Sequence, residues 1–127
     1  MPKRKKVSIL IVEDDQLLAK ALEAKLLQED FDVSFAIDGQ SAVEAAVRDK
    51  PDVILLDLLL PIMGGFEVLS SLKLNDETKD IPVLILSNLS QAKEIERGQD
   101  LGAKEYLIKS DVSLKTVLEK IRGLLKL

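Results

Sequence analysis

The sequence predicts an α/β fold: one domain built on a five-stranded parallel sheet with helices on both faces. Three observations carry this. Short apolar runs alternate along the whole chain with stretches that repeat every three to four residues. The run PDVILLDLLLP, bounded by Pro51 and Pro61, is apolar at successive positions, as a parallel strand covered on both faces requires. Several such runs also end in polar residues: ILIVEDD in Glu13, Asp14 and Asp15, PDVILLD in Asp57, VLILSN in Ser87 and Asn88, and EYLIKS in Lys109 and Ser110. Open α/β sheets place their ligands at the carboxyl ends of their strands. Asp57 needs explaining most, because an ionised carboxylate among Val53, Ile54, Leu55, Leu56 and Leu58 costs several kcal/mol or shifts its pKa upward.

The elements follow in order. VSILIV (7–12) is the first strand. Asp15 to Gln28 is an amphipathic helix with Leu18, Leu22 and Leu26 on one stripe and Leu17 and Ala21 beside it; Asp15 is read as its cap rather than as a metal ligand. Phe31 to Ile37 alternates as a strand, and Asp38-Gly39 turns into a helix carrying Ala42, Val43, Ala46 and Val47. After Asp57, the Pro61 and Gly64-Gly65 of LLLPIMGG forbid regular structure. Phe66 to Leu74 is a short helix and Ile81 to Leu86 a strand. Ser90 is the expected N-cap of a helix from about Gln91 to Leu101, whose apolar stripe is the poorest, mainly Ala92 and Ile95. Gly98 in its interior costs about 1 kcal/mol relative to Ala. Lys104 to Ile108 is the fifth strand, and Asp111 or Ser113 starts a last helix striped by Leu114, Val117, Leu118, Ile121, Leu124 and Leu125. Such βα units imply right-handed crossovers in one parallel sheet.

Composition narrows the function. A chain of 127 residues at 46% hydrophobic buries one core but not two, so one domain is expected over 1–127, with its core at about 7–126. The net charge of −4 argues against general nucleic-acid binding, and the basic start PKRKK is read as a solvated terminus. No run is long enough to span a membrane and nothing near Met1 has the apolar core of a secretion signal, so a cytoplasmic location is expected. The lack of cysteine removes disulfides, iron–sulfur clusters and thiol catalysis. The lack of histidine removes Ser–His and Cys–His catalysis and most zinc or copper sites, and means the chain carries no phosphohistidine of its own. Only oxygen donors remain, which suit Mg²⁺ or Mn²⁺.

In order and spacing, over about residues 7 to 126, the chain resembles the receiver domain of two-component response regulators. The elements that carry the resemblance are the acidic pair Glu13-Asp14, Asp57 followed by LPxMGG, Ser87, Lys109, and Tyr106 at the aromatic switch position. The resemblance implies a flavodoxin-like, doubly wound sheet of strand order 2-1-3-4-5. It implies phosphorelay signal transduction: Mg²⁺-dependent acceptance of a phosphoryl group on Asp57 from a phosphohistidine of a sensor histidine kinase or phosphotransfer protein. Asp14 and Asp57 would bind Mg²⁺ (or Mn²⁺) directly, Glu13 through water, and the Leu59 backbone carbonyl would complete the protein ligands. Lys109 would pair with Asp57 at rest and with a phosphoryl oxygen afterwards, and Ser87 would donate its hydroxyl to another. Ser87 and Tyr106 would switch the surface of the fourth helix, fifth strand and fifth helix. Such a chain assists its own phosphorylation and dephosphorylation but is not an enzyme on a separate substrate.

Two other functions compete. Haloacid-dehalogenase-like phosphatases also place a nucleophilic Asp after an apolar strand, but they need a second Asp two residues later, where this chain has Leu59, and a cap domain for which it has no room. A receiver-like module without phosphorylation would not need Glu13-Asp14, Asp57 and Lys109 together.

The chain departs from the family pattern at several positions. Ser110 follows Lys109 where proline is usual; a non-proline cis bond costs about 3 kcal/mol, so a trans bond is expected. Asn88 stands where a smaller residue is commoner and is expected to tighten access to the phosphoryl site. Lys104-Glu105 replaces the paired acids of the receivers that dimerise through this face, so a monomer or weak dimer is expected, with no direct nucleic-acid or membrane partner. Leu59 and Leu89 occupy the positions that steer the hydrolytic water, which predicts a long-lived aspartyl phosphate. The chain stops at Leu127, directly after the last helix, as expected of a stand-alone receiver or one cut from a longer protein.

Overall fold

A computed structural model describes residues 6–127; the basic start, Lys6 aside, lies outside them. Strands β1 (Ser8–Val12), β2 (Asp32–Ala36), β3 (Val53–Leu56), β4 (Val83–Ser87) and β5 (Glu105–Ile108) alternate with helices α1 (Gln16–Gln28), α2 (Gly39–Asp49), α3 (Gly65–Leu74), α4 (Ala92–Asp100) and α5 (Leu114–Leu125). All pairings are parallel and the order is β2-β1-β3-β4-β5. This is the predicted doubly wound single domain. The order reverses between β1 and β3, so the loops leaving these strands diverge and open a crevice at their carboxyl ends.

The central strands are continuously apolar because both of their faces are covered. Leu10, Val12, Ile54, Leu56, Val83 and Ile85 pack with Ala42 and Ala46 of α2 and Val68, Leu69 and Leu72 of α3. Their neighbours along the strands, Ile9, Ile11, Val53, Leu55, Leu84 and Leu86, pack on the other face with Leu22 and Leu26 of α1 and Val117 and Ile121 of α5. Successive side chains of a strand point to opposite faces, so both parities must be apolar.

Local departures have local causes. The expected stripe of Leu18, Leu22 and Leu26 packs on the sheet, with Leu18 partly buried; Ala19 is buried beside it, whereas Leu17 is 84% exposed. At the sheet edge β2 ends at Ala36, leaving Ile37 exposed. The N-cap of α4 is Gln91 rather than Ser90, and its N–H donates to Glu94 Oε1 at 3.1 Å. A single turn of 3₁₀ helix, Lys109–Asp111, precedes α5, which Ser113 caps by accepting the Thr116 N–H at 3.1 Å. No peptide bond among the described residues is cis, so Lys109–Ser110 is trans as expected.

The contact of α4 with the sheet is unusual. Gly98 is its one buried residue, and a Cβ there would lie 2.8 Å from Ile85 Cδ1 and 3.0 Å from Tyr106 Cδ2. The glycine that looked like a helix weakness is therefore where the helix backbone meets the sheet side chains.

Candidate functional site

The polar strand ends converge at the carboxyl edge of the sheet. The ladder extends one residue past two strands: the Glu13 N–H donates to Ala36 O at 3.1 Å and the Asp57 N–H to Val12 O at 3.0 Å. Both carboxylates are thereby aimed from rigid backbone rather than from free loops. Carboxylate oxygens of Glu13, Asp14 and Asp57 lie within 4.8 Å of one another; Glu13 and Asp57 are buried and Asp14 is exposed. Lys109 reaches in from the end of β5, its Nζ 2.6 Å from Glu13 Oε1 and 2.9 Å from Asp57 Oδ2. The remaining oxygens of the buried pair are also occupied. Glu13 Oε2 accepts the Asp15 N–H at 3.1 Å, and Asp57 Oδ1 accepts the Leu59 N–H at 3.3 Å. Asp15 itself caps α1 by accepting the Leu17 and Leu18 N–H groups, as read from the sequence.

One ammonium faces three carboxylates here. Two unit charges about 4 Å apart interact by roughly 4 kcal/mol at an effective dielectric of 20, so the pocket carries excess negative charge. Burial is the main cause that raises the Glu13 pKa above its ordinary value, and the Asp57 charge adds to it, against the hydrogen bonds from Lys109 and the Asp15 N–H. Burial would lower the Lys109 pKa, but hydrogen bonds to Glu13 and Asp57 and their charges outweigh it and hold the ammonium above its usual range.

The direction of the Glu13 shift predicts a pH dependence. A carboxyl raised in the fold contributes stability below its unfolded pKa, about 4.3 for glutamate, and loses it as pH rises through the folded value. Without divalent cations, Glu13→Gln is therefore expected to gain on the parent as pH rises from about 4 toward neutrality. Parallel melting curves of the two proteins across that range would contradict it.

Ser87, fully buried at the end of β4, accepts the Leu89 N–H on its Oγ at 3.3 Å. Leu56 pairs with Ile85, so Asp57 and Ser87 leave neighbouring strands at almost the same level. Tyr106, half-buried on β5, donates its hydroxyl to Leu89 O at 2.6 Å. Burial, followed by the charges of Glu94 and Asp57, raises its pKa. Leu59 is 57% exposed, whereas Leu89 packs partly against the core. Asn88 and Ser110, noted in the sequence as separate departures, touch each other: the Ser110 N–H donates to Asn88 Oδ1 at 3.0 Å.

The family model of the response regulator receiver domain matches residues 9–122. The chain is 38% identical over 118 residues to the DNA-binding dual master transcriptional regulator RpaA of Synechocystis sp., a match covering 93% of this chain and 48% of that protein. It thus spans about half the length of that curated relative. Its fold matches the chemotaxis response regulator CheY4 of Vibrio cholerae with a TM-score of 0.87 at 25% identity, covering 94% of this chain and 99% of that one. The BeF3-activated N-terminal receiver domain of RstA from Klebsiella pneumoniae gives 0.86 at 28% identity, covering 94% and 99%. Receiver domains are signalling domains of two-component systems; histidine kinases phosphorylate them, and they bind Mg²⁺ at an acidic site. The matched span reaches from β1 into α5 and includes the polar strand ends described above, and this chain belongs to the family of response regulator receiver domains.

Proposed function

We propose that this chain accepts a phosphoryl group on Asp57 from a phosphohistidine of a sensor histidine kinase or phosphotransfer protein. The observation that carries this reading is the buried Asp57 carboxylate, held 2.9 Å from Lys109 Nζ within a three-acid cluster. A carboxylate oxygen of Asp57 forms the new bond to phosphorus as the bond from phosphorus to the donor imidazole nitrogen breaks, and the imidazole leaves with its electron pair. The chain's task is mostly to position groups and neutralise charge. Lys109, already on Asp57, turns to a phosphoryl oxygen, and the Ser87 hydroxyl donates to another.

The donor set fits a hard divalent cation, being all oxygen and in excess of its one ammonium. Glu13, Asp14, Asp57 and the Leu59 carbonyl would hold Mg²⁺ or Mn²⁺, which supplies positive charge to the incoming phosphoryl oxygens. Residues 1–127 act as one receiver domain in the cytoplasm, without contacting nucleic acid or membrane themselves; no described helix is long and apolar enough to cross a membrane. The output is a rearrangement of the face made by α4, β5 and α5, begun when Ser87 turns and the Tyr106–Leu89 hydrogen bond is remade. Unchanged hydrogen exchange over residues 88–106 on activation would count against it.

The test of the whole reading is intact mass after incubation with acetyl phosphate and Mg²⁺. The receiver holds one phosphoryl group; a phosphatase would consume the donor without holding it, and a bare interaction module would do neither.

Mg²⁺ should also stabilise the fold. Binding to the native state alone adds RT ln(1 + [L]/Kd), about 2.7 kcal/mol at a hundredfold excess over Kd. A higher melting midpoint in millimolar Mg²⁺ than in chelator is expected, with most of the difference lost in Asp14→Ala. Equal midpoints, or an undiminished shift in that variant, would refute the metal site.

The aspartyl phosphate is expected to be long-lived, because neither Leu59 nor Leu89 can hydrogen-bond a hydrolytic water. Leu59→Asn and Leu89→Glu should each shorten its lifetime severalfold. Decay as slow as in the parent would show that the leucines shield nothing.

A further inference from the structure

The paired ladder between β4 and β5 ends at Ser87 opposite Ile108. The site lies at this end of the ladder: Ser87 closes β4, and Lys109 follows Ile108 and opens the 3₁₀ turn after β5. Past the last main-chain rung, one further hydrogen bond joins the two ends, from the Ser110 N–H to Asn88 Oδ1 at 3.0 Å. It is a rung made by a side chain. A proline at 110 would have no N–H to give, and an alanine at 88 no oxygen to receive it, so the link exists only because both positions differ together.

We propose that Asn88 is a positioning residue for phosphoryl transfer: through the Ser110 N–H it fixes the Lys109 end of β5 against the Ser87 end of β4. The proposal rests on the reading of Asp57 as the phosphoryl acceptor. The segment Ser87-Asn88-Leu89 is held at three points. Ser87 Oγ accepts the Leu89 N–H, Asn88 Oδ1 accepts the Ser110 N–H, and Leu89 O accepts the Tyr106 hydroxyl at 2.6 Å. The first and third can be remade when Ser87 turns to a phosphoryl oxygen. The second ties the segment to the turn that begins at Lys109, whose Nζ lies on Asp57. Lys109 and Ser87 must meet the same phosphoryl group from two strands, and the side-chain rung sets their separation at the point where the backbone ladder has run out. Small misplacements of reacting groups are expensive in rate.

Asn88 is exposed and the bond lies at the surface, so Asn88→Ala should fold as the parent does. Initial rates of phosphorylation are measured against acetyl phosphate concentration in Mg²⁺, with Asn88→Ala, Ser110→Pro and the double variant. A hydrogen bond of ordinary net worth corresponds to roughly three- to tenfold, so Asn88→Ala should lower the saturating rate by that factor and leave the half-saturating donor concentration unchanged. Since both substitutions break the same bond, the double variant should be no slower than the slower single. Amide exchange at Ser110, read directly, should be slow in the parent and faster in Asn88→Ala. A saturating rate unaltered in Asn88→Ala, additive losses in the double variant, or a Ser110 amide that exchanges equally fast in both would overturn the proposal while leaving Asp57 as acceptor. A parent that takes up no phosphoryl group would overturn the acceptor reading and this inference with it.

Discussion

Asp57→Asn is expected to take up no phosphoryl group, from acetyl phosphate or from a phosphohistidine protein, while melting higher than the parent in the absence of divalent cations. The loss is total because a carboxamide offers no anionic oxygen to phosphorus. The gain follows from charge. Asp57 is one of the pressures on Glu13, and its removal leaves Lys109 paired with Glu13 at 2.6 Å in a less crowded pocket. The single amide oxygen can accept either from Lys109, as Oδ2 does at 2.9 Å, or from the Leu59 N–H, as Oδ1 does at 3.3 Å; one of the two bonds is given up, against which the relief of charge is set. The Mg²⁺-dependent rise in melting midpoint should shrink in the same variant. Phosphoryl uptake that survived the substitution would move the acceptor elsewhere, with Asp14 the first carboxylate to examine.

Gly65→Ala is expected to be among the most damaging single-methyl additions in the molecule. A Cβ at Gly65 would lie 2.4 Å from Leu58 Cα and 2.5 Å from Asp57 O, both main-chain atoms that no rotamer change can clear. The Gly65 N–H also donates to Leu58 O at 3.0 Å, tying the start of α3 to the loop that leaves Asp57. Overpacking typically costs about 1–3 kcal/mol, and contact with main-chain atoms puts this case at the upper end, which lowers the melting midpoint by roughly 10 °C in a domain of this size. The strain falls on the peptide of Asp57 itself, so phosphorylation should drop even at temperatures where the variant remains folded. The neighbouring Gly64→Ala supplies the contrast: nothing lies within 4 Å of a Cβ there and its φ is −64°, so a cost under about 1 kcal/mol is expected. Equal midpoints for the two variants would show that the close approach at Gly65 is relieved by a shift of the loop.

Much of the site was legible because a parallel sheet turns sequence into position in a simple way. Strands that run in one direction put all their carboxyl ends at one edge, so Glu13, Asp14, Asp57, Ser87 and Lys109 could be gathered from strand endings alone. What stayed hidden depends on side chains meeting across strands or on small rotations within a helix. Asn88 and Ser110 each stood out as a departure, but nothing in their spacing shows that one accepts the other's N–H. The bond from Tyr106 to Leu89 O has no local pattern either. Leu17 was placed beside the apolar stripe of α1, yet it is exposed and Ala19 is buried instead, a difference of helix rotation that hydrophobicity alone does not show. Gly98 was read by propensity, which prices the helix and is blind to what lies beneath it. Ser90 has the better capping chemistry, but Gln91 takes the cap through Glu94.

The glycine beneath α4 has a consequence for how such a molecule diversifies. Helices keyed into a core by interlocking side chains constrain one another, and a change on one surface demands compensation in the next. By contrast α4 meets the sheet through the bare backbone at Gly98, and its Arg97 guanidinium lies 4.3 Å from the Phe66 ring centroid on α3. Lys93, Glu96, Gln99 and Asp100 all face solvent. These positions are free to drift without disturbing the packed layers or the acid cluster. Descendants of this chain can therefore acquire new recognition on α4 while inheriting the chemistry unchanged.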